Sequence, residues 1–296
     1  MAITAADVKK LREATGAGMM DCKKALTEVG GDFDAGVDYL RKKGLAAASK
    51  KAGRVAAEGI VVTLSRGNVA VVLEVNAETD FVSKNDQFLS FSNNLATFIL
   101  DKRPANVEAL LAMTFEADLT VAQTLSQLIS TIGENMSVRR FQVLETEGVV
   151  SAYVHGVGKI GVLVAIQGEA NDALNDVARG VAMHVAAVNP EFVSRESVTE
   201  DAIERERKVL TERALASGKP EAIVDKIVAG QMSKFYSENC LLDQEFVMDS
   251  DKTVSKAVAD VQANATVVSV ARFALGEGIE KEETDFAAEV AAQING

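Results

Sequence analysis

The chain has 296 residues, 48% of them hydrophobic and 25% charged, with a formal net charge of −12. That length holds two or more modest domains, and that hydrophobic content excludes a largely disordered chain. The acidic balance argues against direct nucleic-acid binding, which rests on neutralising phosphates with Lys and Arg; no run approaches the ~18 apolar residues of a membrane span. Aromatics are only 5% and Trp is absent, so the core is expected to be aliphatic. Met1 to Lys10 carries no apolar signal core. Cys22 and Cys240 stand apart without CxxC spacing, which fits a reduced, cytoplasmic setting.

Residues 4–44 read as three short helices. Thr4 and Asp7 resemble a capping box ahead of Val8 and Leu11. Gly16-Ala17-Gly18 breaks the first helix and Gly30-Gly31 the second. Asp32 caps a third that carries Phe33, Val37 and Leu40, and Gly44 is expected to end it. Met19 and Met20 lead the second helix; adjacent positions face different directions, so one is expected in the core and the other exposed. Residues 45–57 are Ala-rich and basic and read as a solvated helical linker.

Val69 to Val75 reads as a buried strand. The motif Glu74-Val75-Asn76-Ala77-Glu78-Thr79-Asp80-Phe81-Val82-Ser83-Lys84 follows it into a helical pattern with Phe88, Leu89, Phe91, Leu95, Phe98 and Ile99. At such a strand-to-helix corner Thr79 or Asp80 is expected to cap the helix. Phe81 then folds onto the core or projects. A projecting Asp-Phe pair is a wedge, one carboxylate and one rigid ring on a fixed stem. Glu283-Thr284-Asp285-Phe286 repeats the four-residue core of the motif, so those four residues alone are weak evidence of function.

The rest of the chain reads as a duplication. Glu58-Gly59-Ile60-Val61 returns as Glu147-Gly148-Val149-Val150, and Val69 to Val75 returns as Ile160 to Ile166. Thr120-Val121 ahead of Arg140-Phe141 returns as Thr253-Val254 ahead of Arg272-Phe273. Turns at 65–68 and 156–159 predict antiparallel strands, hence an α+β sandwich with helices on one sheet face. The second copy carries an insertion, residues 195–236. It predicts a helical hairpin: a polar helix from Val198, a turn at Ser217 to Pro220, then a helix from Glu221. Its thin stripes are Ile203, Leu210 and Ala214 on one arm and Ile223, Ile227 and Phe235 on the other. They predict a projecting antiparallel coiled coil. Where the first copy has Thr79-Asp80-Phe81, the second aligns Ala170-Asn171-Asp172.

Gly156 to Gly161 matches G-x-G-x-x-G, but a strand follows it, not the helix a dinucleotide site needs, so it reads as a hairpin turn. His155 reads as a surface residue and His184 as a core histidine with its polar atoms satisfied. Two His and two Cys give no metal spacing. Glu134-Asn135 and Asp251-Lys252 read as solvated loop residues. No nucleophile, metal, cofactor or catalytic constellation is nominated.

Two long stretches carry a family resemblance. Leu11-Arg12-Glu13-Ala14-Thr15-Gly16-Ala17-Gly18-Met19-Met20-Asp21-Cys22-Lys23-Lys24-Ala25-Leu26 resembles the first signature of bacterial elongation factor Ts, and Glu74 to Lys84 resembles the second, with Ala77 where the family often has Cys or Ser. The resemblance continues through His155-Gly156 and Ile160 to Val164 to the C-terminal Glu280 to Ala292.

It implies a non-enzymatic guanine-nucleotide exchange factor that binds elongation factor Tu and promotes GDP release by disturbing its Mg²⁺ site. It implies a UBA-like bundle with linker over 1–53, core halves over 54–146 and 147–277, and a C-terminal helical module over 278–296. The implied contact residues are Thr79, Asp80, Phe81 and Val82 at the wedge. Arg12, Met19, Met20 and Lys23 form the N-terminal contact surface, and Ile132, Gly133 and His155 are core positions that support the remaining contacts with the partner. Self-association through the hairpin and a free monomer are both compatible. The alternatives are a plain interaction module, indifferent to its partner's nucleotide state, and a metabolic enzyme, which would need a pocket of convergent polar groups.

Overall fold

The computed structural model describes residues 3–218 and 220–280. Three helices come first: α1 (Ala5–Thr15), α2 (Met19–Glu28) and α3 (Phe33–Lys51). Thr4 and Asp7 form the capping box and Asp32 caps α3 through the Ala35 N–H. Leu11, Cys22, Ala25, Leu26 and Leu40 make the bundle's small core.

Two expectations fail here. Gly44 does not end the third helix, which runs on to Lys51. Gly44 is buried against a helix of the core domain, where an added Cβ would lie 3.6 Å from the Ser126 carbonyl oxygen. Glycine at this point permits close packing instead of breaking the helix. Nor is the stretch beyond it solvated all round: Ala48 packs against the first core, and Ala57 is buried.

The first half of the core comprises β1 (Glu58–Arg66), β2 (Val69–Ala77), α4 (Asp86–Lys102), α5 (Val107–Ala112), the short pair β3 (Thr114–Glu116) and β4 (Leu119–Thr120), α6 (Val121–Ile132) and β5 (Met136–Glu145). Its sheet has the order β1-β2-β5, all antiparallel. The second half repeats the plan with β6 (Val149–His155), β7 (Ile160–Gln167), α7 (Asp172–Val188), α8 (Glu200–Ala216), α9 (Glu221–Asn239), β8 (Glu245–Phe246), β9 (Asp249–Thr253), α10 (Val254–Val261) and β10 (Thr266–Ala274). Its sheet has the order β10-β7-β6.

Strand alternation sorts the residues between two layers. From β2, Val71, Leu73 and Val75 join Phe88, Leu95 and Ile99 of α4. From β7, Val162, Val164 and Ile166 join Leu174, Val181 and Val185 of α7. The alternate residues, Ala70 and Val72 with Leu163 and Ala165, pack between the sheets. Both central strands are therefore covered on both faces, which is why β2 is buried along its whole length. The chain is α+β.

The G-x-G-x-x-G stretch is the turn between β6 and β7. Gly156 and Gly158 take positive φ there, and a Cβ on Gly161 would lie 2.5 Å from Val61 Cγ1 in the facing sheet. The turn also binds the other half, since the Val61 N–H donates to Gly158 O at 2.8 Å, and it holds the end of its own sheet, where the Leu275 N–H donates to Lys159 O at 2.8 Å.

α8 and α9 form the hairpin, with Leu210, Ala214, Val224, Val228 and Met232 in its seam. On the second arm Ile227 and Phe235 pack against the seam as expected, but Val224 is buried in place of Ile223, which is exposed. Arg195 ties the hairpin's root to Asp243 at 2.7 Å.

Candidate functional site: a rigid corner at one end of the sandwich

The stem of the corner is held by a buried carboxylate. Glu74 is fully buried at the inter-sheet face of β2. It accepts from Arg139 Nη1 at 2.9 Å, Arg140 Nε at 2.6 Å, the Gly276 N–H at 2.8 Å and Asn76 Nδ2 at 3.1 Å. Burial pushes its pKa up, but the bonds from Gly276, Arg140, Arg139 and Asn76 outweigh it and hold the carboxyl below its ordinary value. Arg140 also lies over the Phe273 ring and reaches Ala274 O and Glu277. The network thus fastens β2 and β5 to the segment that leaves β10.

Beyond β2 the chain does not enter α4 directly. Val82–Lys84 forms a 3-10 turn, and Asn85, not Thr79 or Asp80, caps α4 through the N–H groups of Gln87 and Phe88. Thr79 has another partner: its N–H and Oγ donate to the two Glu134 oxygens at 2.9 and 2.8 Å. Glu78 accepts the Asn135 N–H, and Asn135 Nδ2 donates to Arg54 O at 2.7 Å. Glu134 and Asn135 are therefore fixed parts of the corner, not solvated loop residues. Sequence periodicity missed them because their partners lie more than 50 residues away in the chain.

Phe81 projects, 77% exposed, with the exposed Asp80 beside it. Val82 points the other way and is buried in the first core. It anchors the corner from below and offers no contact surface of its own. Ser83 Oγ donates to Asp80 O at 2.6 Å and the Lys84 N–H to Phe81 O at 3.2 Å, closing the tip on itself.

The other expected residues lie on the bundle, at the end of α6 and at the end of β6. Arg12 and Lys23 are exposed. Met19 and Met20 are both exposed, at 54% and 74%, so neither is core. The stripe that α2 buries is Cys22, Ala25 and Leu26; Met19 sits a turn before it at the open helix end, and Met20 on another face. The bundle's Thr15–Gly16 loop shares a cleft of about 260 Å³ with Gln87 of α4 and Thr131 of α6. The last turn of α6 therefore faces the bundle, while Glu134, just past it, holds Thr79.

Ile132 is half-buried against the first core. Gly133 caps α6 at φ 92°, a backbone state that other residues adopt only with strain. His155 is exposed at the end of β6, its Nδ1 3.0 Å from Tyr153 Oη. The turn beside it approaches β1 through Lys159, whose Nζ donates to Glu58 Oε2 at 2.9 Å.

The buried His184, Cys22 and Cys240 are structural. The Val247 N–H donates to His184 Nδ1 and Gln244 Oε1 lies 2.8 Å from Nε2, which fixes a neutral ring; burial lowers its pKa. Burial likewise raises Cys22 and pushes Cys240 up to about 11, so both remain thiols. Among the described residues, no cluster of three or more His, Cys, Asp or Glu is placed to hold a metal, and no helix is long and apolar enough to cross a membrane.

The comparisons agree on one family. The family model described as elongation factor TS matches residues 78–277. The chain is 51% identical to elongation factor Ts of Magnetococcus marinus, covering all of both chains. It is 55% identical to elongation factor Ts of Paramagnetospirillum magneticum over 98% of this chain and 97% of that one. It is 50% identical to elongation factor Ts of Syntrophotalea carbinolica over 99% of each.

Proposed function

This chain belongs to the elongation factor Ts family of translation elongation factors, and on that premise we propose that it is a non-enzymatic guanine-nucleotide exchange factor. It binds the GTPase elongation factor Tu in the cytoplasm and promotes GDP release. The observation that carries this reading is the exposed Asp80–Phe81 pair on a corner bonded at its base and anchored by Val82.

Tight GDP binding by a GTPase depends on Mg²⁺ and on oriented phosphate-loop amides. A ring and a carboxylate driven between helices beside that site remove part of this stabilisation. By linkage, whatever ratio of GDP affinity is lost when the factor binds, the factor loses when GDP binds. Burying one Phe ring yields roughly 1.5–3 kcal/mol, and each tenfold of coupling takes about 1.4 kcal/mol. Phe81 alone supplies one or two tenfolds.

A second contact must brace the wedge. Arg12, Met19, Met20 and Lys23 provide it, with methionines suited to an adaptable apolar contact. Ile132 and Gly133 support it from below, and His155 adds a third point. The three helices act as a UBA-like docking module and α8–α9 as a coiled-coil arm for self-association. The C-terminal module proposed for 278–296 lies mainly outside the described residues.

The test is stopped-flow release of fluorescent GDP from elongation factor Tu at fixed Mg²⁺. Saturable acceleration that disappears in Asp80→Ala/Phe81→Ala supports exchange by the wedge. Acceleration that survives the double variant moves the mechanism to another surface. Binding without acceleration leaves a plain interaction module.

A further inference from the structure

We infer that Glu134 is a positioning residue for exchange: it holds the Asp80–Phe81 tip in its projecting pose. The inference rests on the exchange reading above and adds to it a residue outside both signature stretches.

Its two carboxylate oxygens take the N–H and the Oγ of one residue, Thr79, at 2.9 and 2.8 Å. A bidentate grip of this kind fixes orientation as well as position, and hydrogen bonds to a carboxylate are about twice as strong as neutral ones. The residues on either side reciprocate, since Glu78 of the corner accepts the Asn135 N–H. The two short loops are clasped by carboxylates crossing in opposite directions, one from each loop. Arg54 closes the clasp through its carbonyl to Asn135 and its guanidinium, 3.4 Å from Glu78. Past the clasp, among the described residues, Asp80 and Phe81 make hydrogen bonds only within their own turn. The pose of the tip is therefore set by the grip on Thr79 before it and the buried Val82 after it.

The second half of the molecule is a built-in control. There Gln262, just after α10, accepts the Glu169 N–H of the corresponding corner at 2.8 Å. Both corners are tied to the end of the last helix of their half, the second by this one neutral bond. Only the corner that carries a wedge has a charged, two-point grip.

With affinity assigned to the bundle surface, as proposed above, loosening Thr79 acts on the maximal rate and leaves half-saturation in place. A loosened tip must be reordered each time it acts, at an entropic cost. We expect Glu134→Ala to lower the saturating rate of GDP release roughly tenfold with half-saturation within about twofold. Glu134→Gln, which keeps an acceptor for the N–H and a second group for Oγ, restores most of the rate. Thr79→Val slows wild type but adds nothing to Glu134→Ala, as a double-mutant cycle requires.

Amide hydrogen exchange at Thr79 and Asp80 supplies a readout independent of the partner, and it speeds up in Glu134→Ala. A wild-type saturating rate in Glu134→Ala overturns the inference, as does unchanged Thr79 protection. A loss confined to half-saturation also overturns it. If the wild-type chain itself accelerates nothing, the exchange reading fails, and the hydrogen-exchange result still decides whether Glu134 positions the tip.

Discussion

The two halves of the core solve the same corner differently. Between β7 and α7 the chain needs four residues, 168–171, and Asn171 caps the helix directly. Between β2 and α4 it takes eight, 78–85, with Asn85 as the cap. Counted from the strands, Thr79-Asp80-Phe81 aligns with Ala170-Asn171-Asp172; counted from the helix caps, the counterpart of Asn171 is Asn85. The wedge is extra chain inserted ahead of a shared cap. The stems differ too: Glu74 occupies the strand position that Ala165 fills in β7, packed between the sheets. A scaffold that closes with four residues does not require eight, so the longer corner serves something other than folding.

The strongest way to break this comparison is to erase it. Replacing residues 78–85 with Gly-Glu-Ala-Asn, the sequence of 168–171, should leave a folded chain with cooperative unfolding. It should abolish acceleration of GDP release while binding through the bundle persists. A chimera that still accelerates exchange would show that the difference between the corners is incidental.

Glu74 sharpens the comparison through stability. Removing one partner of a buried ion pair costs about 3–5 kcal/mol. Both arginines here keep some access to water, with 25% and 31% of their side chains exposed, which places Glu74→Ala near 3 kcal/mol in urea unfolding. The folded pKa is depressed, so this contribution is fully present above the unfolded carboxyl value near 4.3. It drains as pH falls through the lower folded value. Glu74→Gln should flatten that acid limb.

What was legible in the sequence follows from the range of each signal. Caps and breaks are local: Thr4 with Asp7, Asp32, and the glycines at 16–18 and 30–31 act within a turn of themselves, and the structure places them as read. The duplication was legible because strand periodicity and turn residues recur at fixed offsets. Two failures share the opposite cause. Gly44 breaks a helix in isolation, but here it lies against α6. Thr79 caps a helix in isolation, but Glu134 reaches it first. In both places a contact across many residues overrides a local preference, and no single-window reading contains the partner. In the hairpin, Ile227 and Phe235 pack on the seam as read, but Val224 takes the place read for Ile223, because both are apolar and periodicity alone does not choose between neighbours.

The second half has its own acid sensitivity, and it lies in a different window. His184 is buried and neutral, with its folded pKa lowered. Below about pH 6.5 the unfolded chain takes up a proton that the folded chain refuses. Stability therefore falls with pH by up to about 1.4 kcal/mol per unit until the folded value is reached. His184→Gln should remove this slope below about pH 6.5 and leave the Glu74 limb in place. Losing both limbs together in either variant would mean that the halves unfold through one shared group.

The smallest effect concerns the surface that braces the wedge. Met19 and Met20 are exposed in the free chain, so Met19→Ala/Met20→Ala should change unfolding stability by no more than about 0.5 kcal/mol. If the bundle supplies affinity and the corner supplies the displacement, the double variant should raise half-saturation of GDP release several-fold and leave the saturating rate near wild type. That is the mirror image of the pattern expected for Glu134→Ala. Should both variants shift the same parameter, affinity and displacement would reside in one continuous contact, and the division between bundle and corner would have no mechanical meaning. Opposite shifts would assign to the bundle the work of holding the partner and to the eight-residue corner the work of opening it.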